Sequence, residues 1–206
     1  MPGVTTVVLD LGRVLVRWEP ERAWAHLDPT DVETFHADVD FLAWNRTLDA
    51  GVPCAEAVAA LPPQHAAVGQ AYVDRFLDAL PGPVPGTRAV VEELDAAGLH
   101  LIALTNWSAE LFERAGELLE DVVGLSTFDG VVVSGREGLT KPDPALFRRL
   151  LDRFDLDPAA TAFVDDSPAN VEAAAALGLR AVGFTTAEAL RDALADLGLP
   201  VRRPAR

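Results

Sequence analysis

The segment Thr5-Thr6-Val7-Val8-Leu9-Asp10-Leu11-Gly12-Arg13-Val14-Leu15 decides the fold of this chain. The β-branched and aliphatic residues before Asp10 predict a buried strand, and Gly12 interrupts the apolar run after it. A buried, ionised carboxylate is unfavourable unless a partner binds it. In open α/β sheets, ligands bind at the carboxyl ends of the strands. Asp10 is therefore either part of a ligand site or a loop residue that caps a turn or pairs with a surface cation.

Strand and helix patterns alternate regularly after residue 84. Further strands are predicted at residues 100–104, 128–133, 161–164 and 180–184, with helical patterns between them. The residues expected to begin these helices include Ser108, Asp143 with Pro144, Ser167 with Pro168, and Thr185 with Glu188. This alternation predicts an α/β fold, a Rossmann-like, doubly wound parallel sheet with helices on both faces.

The segment between residues 18 and 83 has a different character. It lacks strong strand signals and reads as several short helices, one of them opened by a capping box from Thr30 to Glu33. Pro81-Gly82-Pro83-Val84-Pro85-Gly86 is typical of a linker. We therefore predict an α/β core made of residues 1–17 and 84–206, with an all-α cap of residues 18–83 inserted after the first strand.

Composition narrows the function classes. The chain has 206 residues, half of them hydrophobic, and a net charge of −15. So acidic a surface repels nucleic acid and anionic membranes, although a local lysine or metal can still attract a small phosphate ligand. A single cysteine, Cys54, excludes an internal disulfide framework and a cysteine-based zinc cluster. Met1-Pro2-Gly3 begins no signal peptide pattern, so we expect a cytoplasmic protein; the sequence does not indicate its oligomeric state.

Polar side chains follow four of the predicted strands. They are Asp10 after the first, Thr105 and Asn106 after the second, Lys141 in the loop after the third, and Asp165 with Asp166 after the fourth. In a doubly wound sheet these residues converge on one edge. Carboxylates that lie this close together need a cation, and Mg²⁺ prefers oxygen ligands. Each group alone has an ordinary explanation, such as a turn, a helix cap or a solvated lysine, but their conjunction predicts a site.

The predicted chemistry is phosphoryl transfer. Asp10 would attack phosphorus in line and form an aspartyl-phosphate, which water would then hydrolyse. Mg²⁺ and Lys141 would neutralise charge on the equatorial oxygens, and Thr105 would donate its hydroxyl.

These residues resemble the motifs of the haloacid dehalogenase (HAD) superfamily, and specifically its subfamily IA-like phosphatases with a helical C1 cap. The matching segments are residues 9–15, 104–106, 141–142 and 163–170. The resemblance implies that Asp10 is nucleophile and metal ligand, that the Gly12 carbonyl and Asp166 are further ligands, and that Asp165 is a ligand or supports one. The segments 104–108 and 138–144 are similar to those of bacterial glucose-1-phosphate phosphatases.

One position departs from the family pattern. The usual phosphatase carries a second aspartate two residues after the nucleophile as general acid and base, and this chain has Gly12 there. A positioned acid contributes on the order of 10²–10⁴-fold to the rate. Three explanations are open: a leaving group that departs easily, such as the anomeric oxygen of a sugar phosphate; a proton from another group or a water; or a slow enzyme.

Several residues are candidates for substrate selection. Thr105, Asn106 and Lys141 are expected to bind the phosphate, while Arg13 and Trp107 lie next to the motifs. Further candidates in or beside the cap are Trp18, Trp24, Trp44, Asn45 and Asp49. A tryptophan in a small helical domain is more often part of its core.

Four rival functions fit less well. A 2-haloacid dehalogenase would not need an acid at Gly12, but it would leave the acidic pair at residues 165–166 unexplained. A receiver domain has its acidic pair early in the chain, and a dinucleotide-binding dehydrogenase needs a glycine-rich turn that residues 10–13 do not form. A weakly active protein that only binds a phosphorylated ligand would have no need of the complete set Asp10, Thr105, Lys141 and Asp166.

Overall fold

A five-stranded parallel sheet forms the centre of the protein. The structure, a computed structural model, describes residues 3–202, so both ends of the predicted core, residues 1–2 and 203–206, lie outside the described residues. The strand order is β3-β2-β1-β4-β5, and every neighbouring pair is parallel. The predicted α/β class is confirmed. The strands are β1 Thr6–Leu9, β2 His100–Thr105, β3 Gly130–Val133, β4 Thr161–Asp165 and β5 Arg180–Gly183.

Helices fill both the connection after β1 and the connections between later strands. Between β1 and β2 the helices are α1 Pro29–Asp38, α2 Phe41–Asp49, α3 Cys54–Ala59, α4 Ala66–Asp74 and α5 Thr87–Ala96. The later ones are α6 Ala109–Arg114, α7 Gly116–Val123, α8 Ser134–Glu137, α9 Pro144–Arg153, α10 Pro168–Ala176 and α11 Ala187–Asp196. None of the helices within residues 3–202 is long and apolar enough to cross a membrane.

The sheet is buried on both faces because its side chains alternate between two apolar cores. Val8, Ile102, Leu104 and Phe163 pack with apolar residues of α9 and α10. Their neighbours along the same strands, such as Val7, Leu101 and Ala162, belong to a larger core. That larger core continues into the aromatic residues of α1, α2 and α4, so one apolar interior joins the sheet to the inserted helices.

Two predicted helix starts are wrong by one or two residues. Asp28 caps α1 by accepting from the Thr30 backbone N–H, with Pro29 as the first helical residue, so the expected box at Thr30 does not form. The last helix is capped by Thr186, whose side chain accepts from Ala189, rather than by Thr185. An adjacent cap residue satisfies the same free N–H groups, and sequence spacing alone does not choose between them.

The chain reverses direction across the sheet at β1. It passes outward from β1 through β2 to β3 and then returns to β4 on the other side of β1. Leu9 is paired with Ala103 of β2 and Val164 of β4, so Asp10 follows between the ends of two neighbouring strands. Such a reversal point opens a crevice at the carboxyl edge of the sheet.

Candidate active site

Asp10 lies at this crevice and is almost completely buried, at 8% exposure. Its backbone N–H donates to the Val164 carbonyl at 2.9 Å, which continues the β1–β4 pairing past the end of the strand. The Leu11 backbone N–H donates to Asp10 Oδ1 at 2.8 Å. Burial raises the pKa of Asp10 to about 7, although the Lys141 ammonium opposes the shift. The carboxyl group is therefore fixed in place, and its ionised form needs positive charge nearby to be stable.

Lys141, the single lysine of the chain, brings that charge into the site. Its Nζ lies 2.9 Å from Asp10 Oδ1 and 2.7 Å from Asp165 Oδ2, and it donates to the Leu104 carbonyl at 2.7 Å. Burial acts to lower the pKa of Lys141, but the two carboxylates hold that pKa above its ordinary value. Although the side chain is only 1% exposed, the two carboxylates keep this ammonium charged inside the protein.

Asn106 holds the backbone of Lys141. Its Nδ2 donates to the Lys141 carbonyl at 2.9 Å, and its Oδ1 accepts from the Lys141 N–H at 2.8 Å. Both ends of the amide are thus engaged by one residue of the neighbouring loop. Asn106 also lines the cavity, and its two hydrogen bonds give it a positioning role toward Lys141; its expected contact with the substrate phosphate stays a prediction.

Asp165 is fully buried, and both of its carboxylate oxygens contact other groups of the protein. Oδ1 accepts from the Ser167 N–H and from Asn170 Nδ2, both at 2.9 Å, and Oδ2 contacts Lys141. A carboxylate held by three donors supports its neighbours more readily than it ligates an ion. Of the two roles expected for Asp165, these contacts favour support.

Asp166 is partly exposed and faces the cavity. Arg13 Nε lies 3.4 Å from its Oδ2, and the Arg13 side chain is 65% exposed. Burial is the first cause that raises the pKa of Asp166, and Arg13 opposes it. Arg13 itself has a φ of 62°, the left-handed region that non-glycine residues rarely adopt, in the tight turn that follows Asp10.

Three carboxylates converge closely enough to share one cation. Asp10, Asp165 and Asp166 each offer an oxygen, and these oxygens lie within 4.8 Å of one another. Gly12 lines the same cavity and can add its carbonyl. Lys141 and the exposed Arg13 together carry two positive charges against three carboxylates. A donor set made only of oxygen is the set that Mg²⁺ prefers. The residues present fit this ion.

Two predicted ligand-binding residues carry unpaired polar atoms. Within residues 3–202, the buried side-chain polar atoms without a hydrogen-bond partner are Thr105 Oγ1 and Trp107 Nε1. Leaving such an atom unpaired costs about 1–3 kcal/mol. Thr105 is the last residue of β2, and Trp107 follows it and lines the cavity, so both atoms lie at the carboxyl edge of the sheet, where a bound ligand can supply the missing partner.

A cavity of about 410 Å³ opens above these groups. The core contributes Asp10, Lys141 and Asp166 to its floor, whereas α2 and α4 contribute Asn45, Asp49 and Tyr72. Much of the remaining lining is formed by large apolar and aromatic side chains: Trp18, Leu42, Phe76, Trp107 and Leu111. The arrangement places a polar, charged floor beneath a largely apolar chamber.

The candidate tryptophans divide into two groups. Trp24 and Trp44 are buried, and their indole N–H groups donate to the Val68 and Ala57 carbonyls at 2.9 Å. These two belong to the aromatic core of the inserted helices. Trp18 and Trp107 line the cavity.

The sequence of residues 2–178 matches the family described as haloacid dehalogenase-like hydrolase. The chain belongs to the haloacid dehalogenase-like hydrolase family. This confirms the resemblance drawn from the four motifs. The finer resemblance to glucose-1-phosphate phosphatases stays a prediction.

Relatives in this family include several phosphatases. The chain is 29% identical over 185 residues to a phosphoglycolate phosphatase of Pseudomonas putida, covering 89% of this chain and 62% of the relative. It is 33% identical over 97 residues to the sesquiterpene phosphatase astK of Aspergillus oryzae, covering 47% of this chain and 48% of the relative. The chain thus spans less than two thirds of the length of either curated relative.

A solved structure of the family has the same fold. It is a HAD family enzyme of Bacteroides thetaiotaomicron in complex with magnesium and inorganic phosphate, with a TM-score of 0.72 and 17% identity. The match covers 90% of this chain and 96% of that one.

The sequence does not show how α2 and α4 contribute to this cavity. The sequence marks Asp49 as a candidate for substrate selection only, and no pattern in it points to Tyr72 or Ser134. The Ser134 hydroxyl donates to the Asp49 carbonyl at 2.6 Å, which ties the end of α2 to the core. These partners are 85 residues apart in the chain, and no local sequence pattern signals such a contact.

Proposed function

We propose that the protein is a Mg²⁺-dependent phosphatase that hydrolyses a small phosphomonoester through an aspartyl-phosphate on Asp10. The observation that carries this proposal is the convergence of the Asp10, Asp165 and Asp166 carboxylates around the buried ammonium of Lys141. The phosphatases among the relatives, and the magnesium and phosphate bound by the Bacteroides enzyme, support it.

Asp10 is suited to nucleophilic attack. The Leu11 N–H and Lys141 both contact its Oδ1, which leaves Oδ2 for the bond to phosphorus. Lys141 orients the carboxylate and offers positive charge to the equatorial oxygens of the phosphoryl group. Thr105 Oγ1, buried without a partner, can donate to one of those oxygens.

Asp10, Asp166 and the Gly12 carbonyl would hold Mg²⁺, with Asp165 supporting them from behind. Bound there, Mg²⁺ would neutralise the charge of the phosphoryl oxygens and of the surrounding carboxylates. The helices from residues 18–83 act in this proposal as the cap, because they supply the upper wall of the cavity.

The cavity supports an organic group with an apolar face and a few hydroxyls, such as a sugar. The rings of Trp18 and Trp107 offer flat apolar surfaces, whereas Asn45 and Arg46 offer polar contacts. A sugar phosphate is therefore our candidate substrate.

A 2-haloacid dehalogenase is the alternative chemistry for the same nucleophile. Displacement of halide from carbon needs no Mg²⁺, so it gives no reason for a carboxylate at Asp166 beside Asp10 and Asp165. The acidic cluster favours phosphoryl transfer.

The test is phosphate release from sugar phosphates, nucleotides and 4-nitrophenyl phosphate, measured with Mg²⁺ and with EDTA. We expect wild-type turnover only with Mg²⁺, and loss of turnover in Asp10→Asn. The control Asp74→Asn changes an exposed carboxylate of α4 that does not line the cavity, and should match wild type. Turnover that survives EDTA or Asp10→Asn, or halide release from a 2-haloacid without phosphate release from any ester, would overturn the proposal.

A further inference from the structure

The space beside Gly12 is large enough for a side chain, so steric crowding does not explain why residue 12 lacks a proton donor. A Cβ built on Gly12 would meet no atom within 4 Å, so a side chain there would enter open space. An alcohol leaves phosphorus poorly as an alkoxide, and a positioned acid accelerates that step by on the order of 10²–10⁴-fold. For an ester of such an alcohol, a second group that reaches the cavity can supply the proton that residue 12 does not.

Asp49 at the end of α2 is a carboxyl group that reaches this cavity from the side opposite the core. It lines the cavity together with Asp10 and Gly12, and its side chain is partly buried. Among the carboxylates of residues 3–202 that line the cavity, Asp10 and Asp166 belong to the charged floor, and Asp49 alone comes from the inserted helices. Asp49 thus enters the cavity from a different segment of the chain than the carboxylates of the floor.

The backbone around Asp49 is held against the core. The Ser134 hydroxyl donates to the Asp49 carbonyl at 2.6 Å. Gly51 packs closely against Gly135, the residue after Ser134. A Cβ built on Gly51 would lie 2.8 Å from the Gly135 carbonyl oxygen. These two contacts hold the end of α2, and Asp49 with it, against the core residues Ser134 and Gly135.

A chain of hydrogen bonds fixes the Asp49 carboxyl group itself. Trp18 Nε1 donates to the Tyr72 hydroxyl at 3.3 Å, and that hydroxyl donates to Asn45 Oδ1 at 3.0 Å. Asn45 Nδ2 then donates to Asp49 Oδ2 at 3.2 Å. Because the indole N–H can only donate, the direction of the whole chain is set, and Asp49 is its final acceptor.

The environment of Asp49 suits proton transfer. Burial, followed by repulsion from Asp10, raises the pKa of Asp49 to about 7. A carboxyl group of this kind holds a proton in a large fraction of molecules at neutral pH and can still release it.

We propose that Asp49 is the general acid and base of this site, a role that rests on the proposed phosphatase function. As the Asp10 Oδ2–phosphorus bond forms and the ester P–O bond breaks, the Asp49 carboxyl gives its proton to the departing alcohol oxygen. The Asp49 carboxylate then takes a proton from the water that attacks phosphorus. The Asp10–phosphorus bond breaks, inorganic phosphate leaves, and Asp49 is again protonated. Esters of poorly departing alcohols thereby become substrates although residue 12 has no side chain.

The experiment compares two esters that carry a benzene ring but differ in the leaving group. 4-Nitrophenyl phosphate releases a stabilised phenolate that needs no proton, whereas 2-phenylethyl phosphate releases an alcohol that does. We expect Asp49→Asn to lower kcat for the phenylethyl ester by at least 100-fold and for the nitrophenyl ester by less than fivefold. Asparagine keeps the shape of the side chain and an acceptor for Asn45, which protects the fold.

Asp74→Asn is the matched control. Gln70 Nε2 donates to Asp74 Oδ1 from four residues earlier on α4, the same local arrangement as Asn45 and Asp49, but Asp74 lies outside the cavity. This variant should leave both rates unchanged. Equal losses for the two esters in Asp49→Asn, no loss for either, or a wild-type protein that cleaves only the nitrophenyl ester would each overturn the role of Asp49. If Asp10→Asn instead turned over both esters at the wild-type rate, the phosphatase function itself would be overturned.

Discussion

Replacement of Lys141 by methionine tests the electrostatic core of the site. Lys141→Met keeps the length of the side chain but removes the ammonium that contacts Asp10 Oδ1 at 2.9 Å and Asp165 Oδ2 at 2.7 Å. Both carboxyl groups are buried, and breaking a buried ion pair by removing one partner costs about 3–5 kcal/mol. We expect the free energy of unfolding to fall by about this amount at pH 8 in EDTA.

The loss of unfolding free energy in Lys141→Met should be larger at high pH than at low pH. Without the Lys141 ammonium, which opposes the effect of burial, the pKa of Asp10 in the folded protein rises further above the pKa of Asp10 in the unfolded protein. The folded state then binds more protons than the unfolded state, so stability falls as pH rises through the interval between those pKa values. The difference between Lys141→Met and wild type should accordingly be smaller at pH 5 than at pH 8.

Urea unfolding measures both effects. With an m-value of about 2 kcal/mol/M, the midpoint should fall by about 2 M at pH 8. The control is Arg75→Met, which breaks the exposed ion pair of Arg75 with Asp78 at 3.3 Å and should cost less than about 1 kcal/mol. Adding Asp10→Asn to Lys141→Met should restore part of the loss, because the unpaired carboxylate is then gone. Equal midpoints for Lys141→Met and wild type at pH 8, or strict additivity of the two substitutions, would refute this account of the site.

Three further outcomes are expected from the same geometry. Mg²⁺ at 100 times its dissociation constant should stabilise the protein by about 2.7 kcal/mol in a thermal shift assay, and Asp166→Asn should remove most of that shift; an unchanged shift would exclude Asp166 as a ligand. Gly12→Asp added to Asp49→Asn should recover at least tenfold in turnover of 2-phenylethyl phosphate, since the space beside Gly12 is open, and no recovery would contradict a missing proton as the cause of the loss. Because the pKa of Asp49 is raised from 3.8 to about 7, its ionisation opposes folding above pH 7 by as much as about 4 kcal/mol, so Asp49→Asn should be more stable than wild type at pH 8 and less so at pH 5. Equal urea midpoints for wild type and Asp49→Asn at pH 8 would contradict burial as the origin of that shift.

The stability gain expected for Asp49→Asn and its expected loss of turnover have one cause. A carboxyl group can donate a proton near neutral pH only if its ionised form is disfavoured, and burial does this at the expense of the folded state. Lys141 shows the opposite case. Its charge is buried at 1% exposure, but three oxygen partners compensate for the lost water, so the ion is retained.

The fold could be predicted from the sequence because its signals are local. Alternating apolar residues in β1, β2 and β4 face two cores, and the regular succession of strand and helix admits few arrangements of a parallel sheet. The polar residues that end these strands then meet at one edge by geometry alone. Asp10, Lys141 and Asp165 therefore lie together as their positions in the sequence suggested.

Only the tertiary structure determines which of those residues faces the cavity and which one supports its neighbours. Whether Asp165 or Asp166 faces the cavity depends on Ser167 and Asn170, which occupy Asp165 Oδ1 and leave Asp166 partly exposed. The approach of Asp49 to Asp10 depends on the packing of α2 against Ser134 and Gly135, and the strand and helix pattern carries no record of that contact. A sequence pattern reports which residues share a face or a strand end, whereas contacts between distant segments follow from the packing of whole side chains.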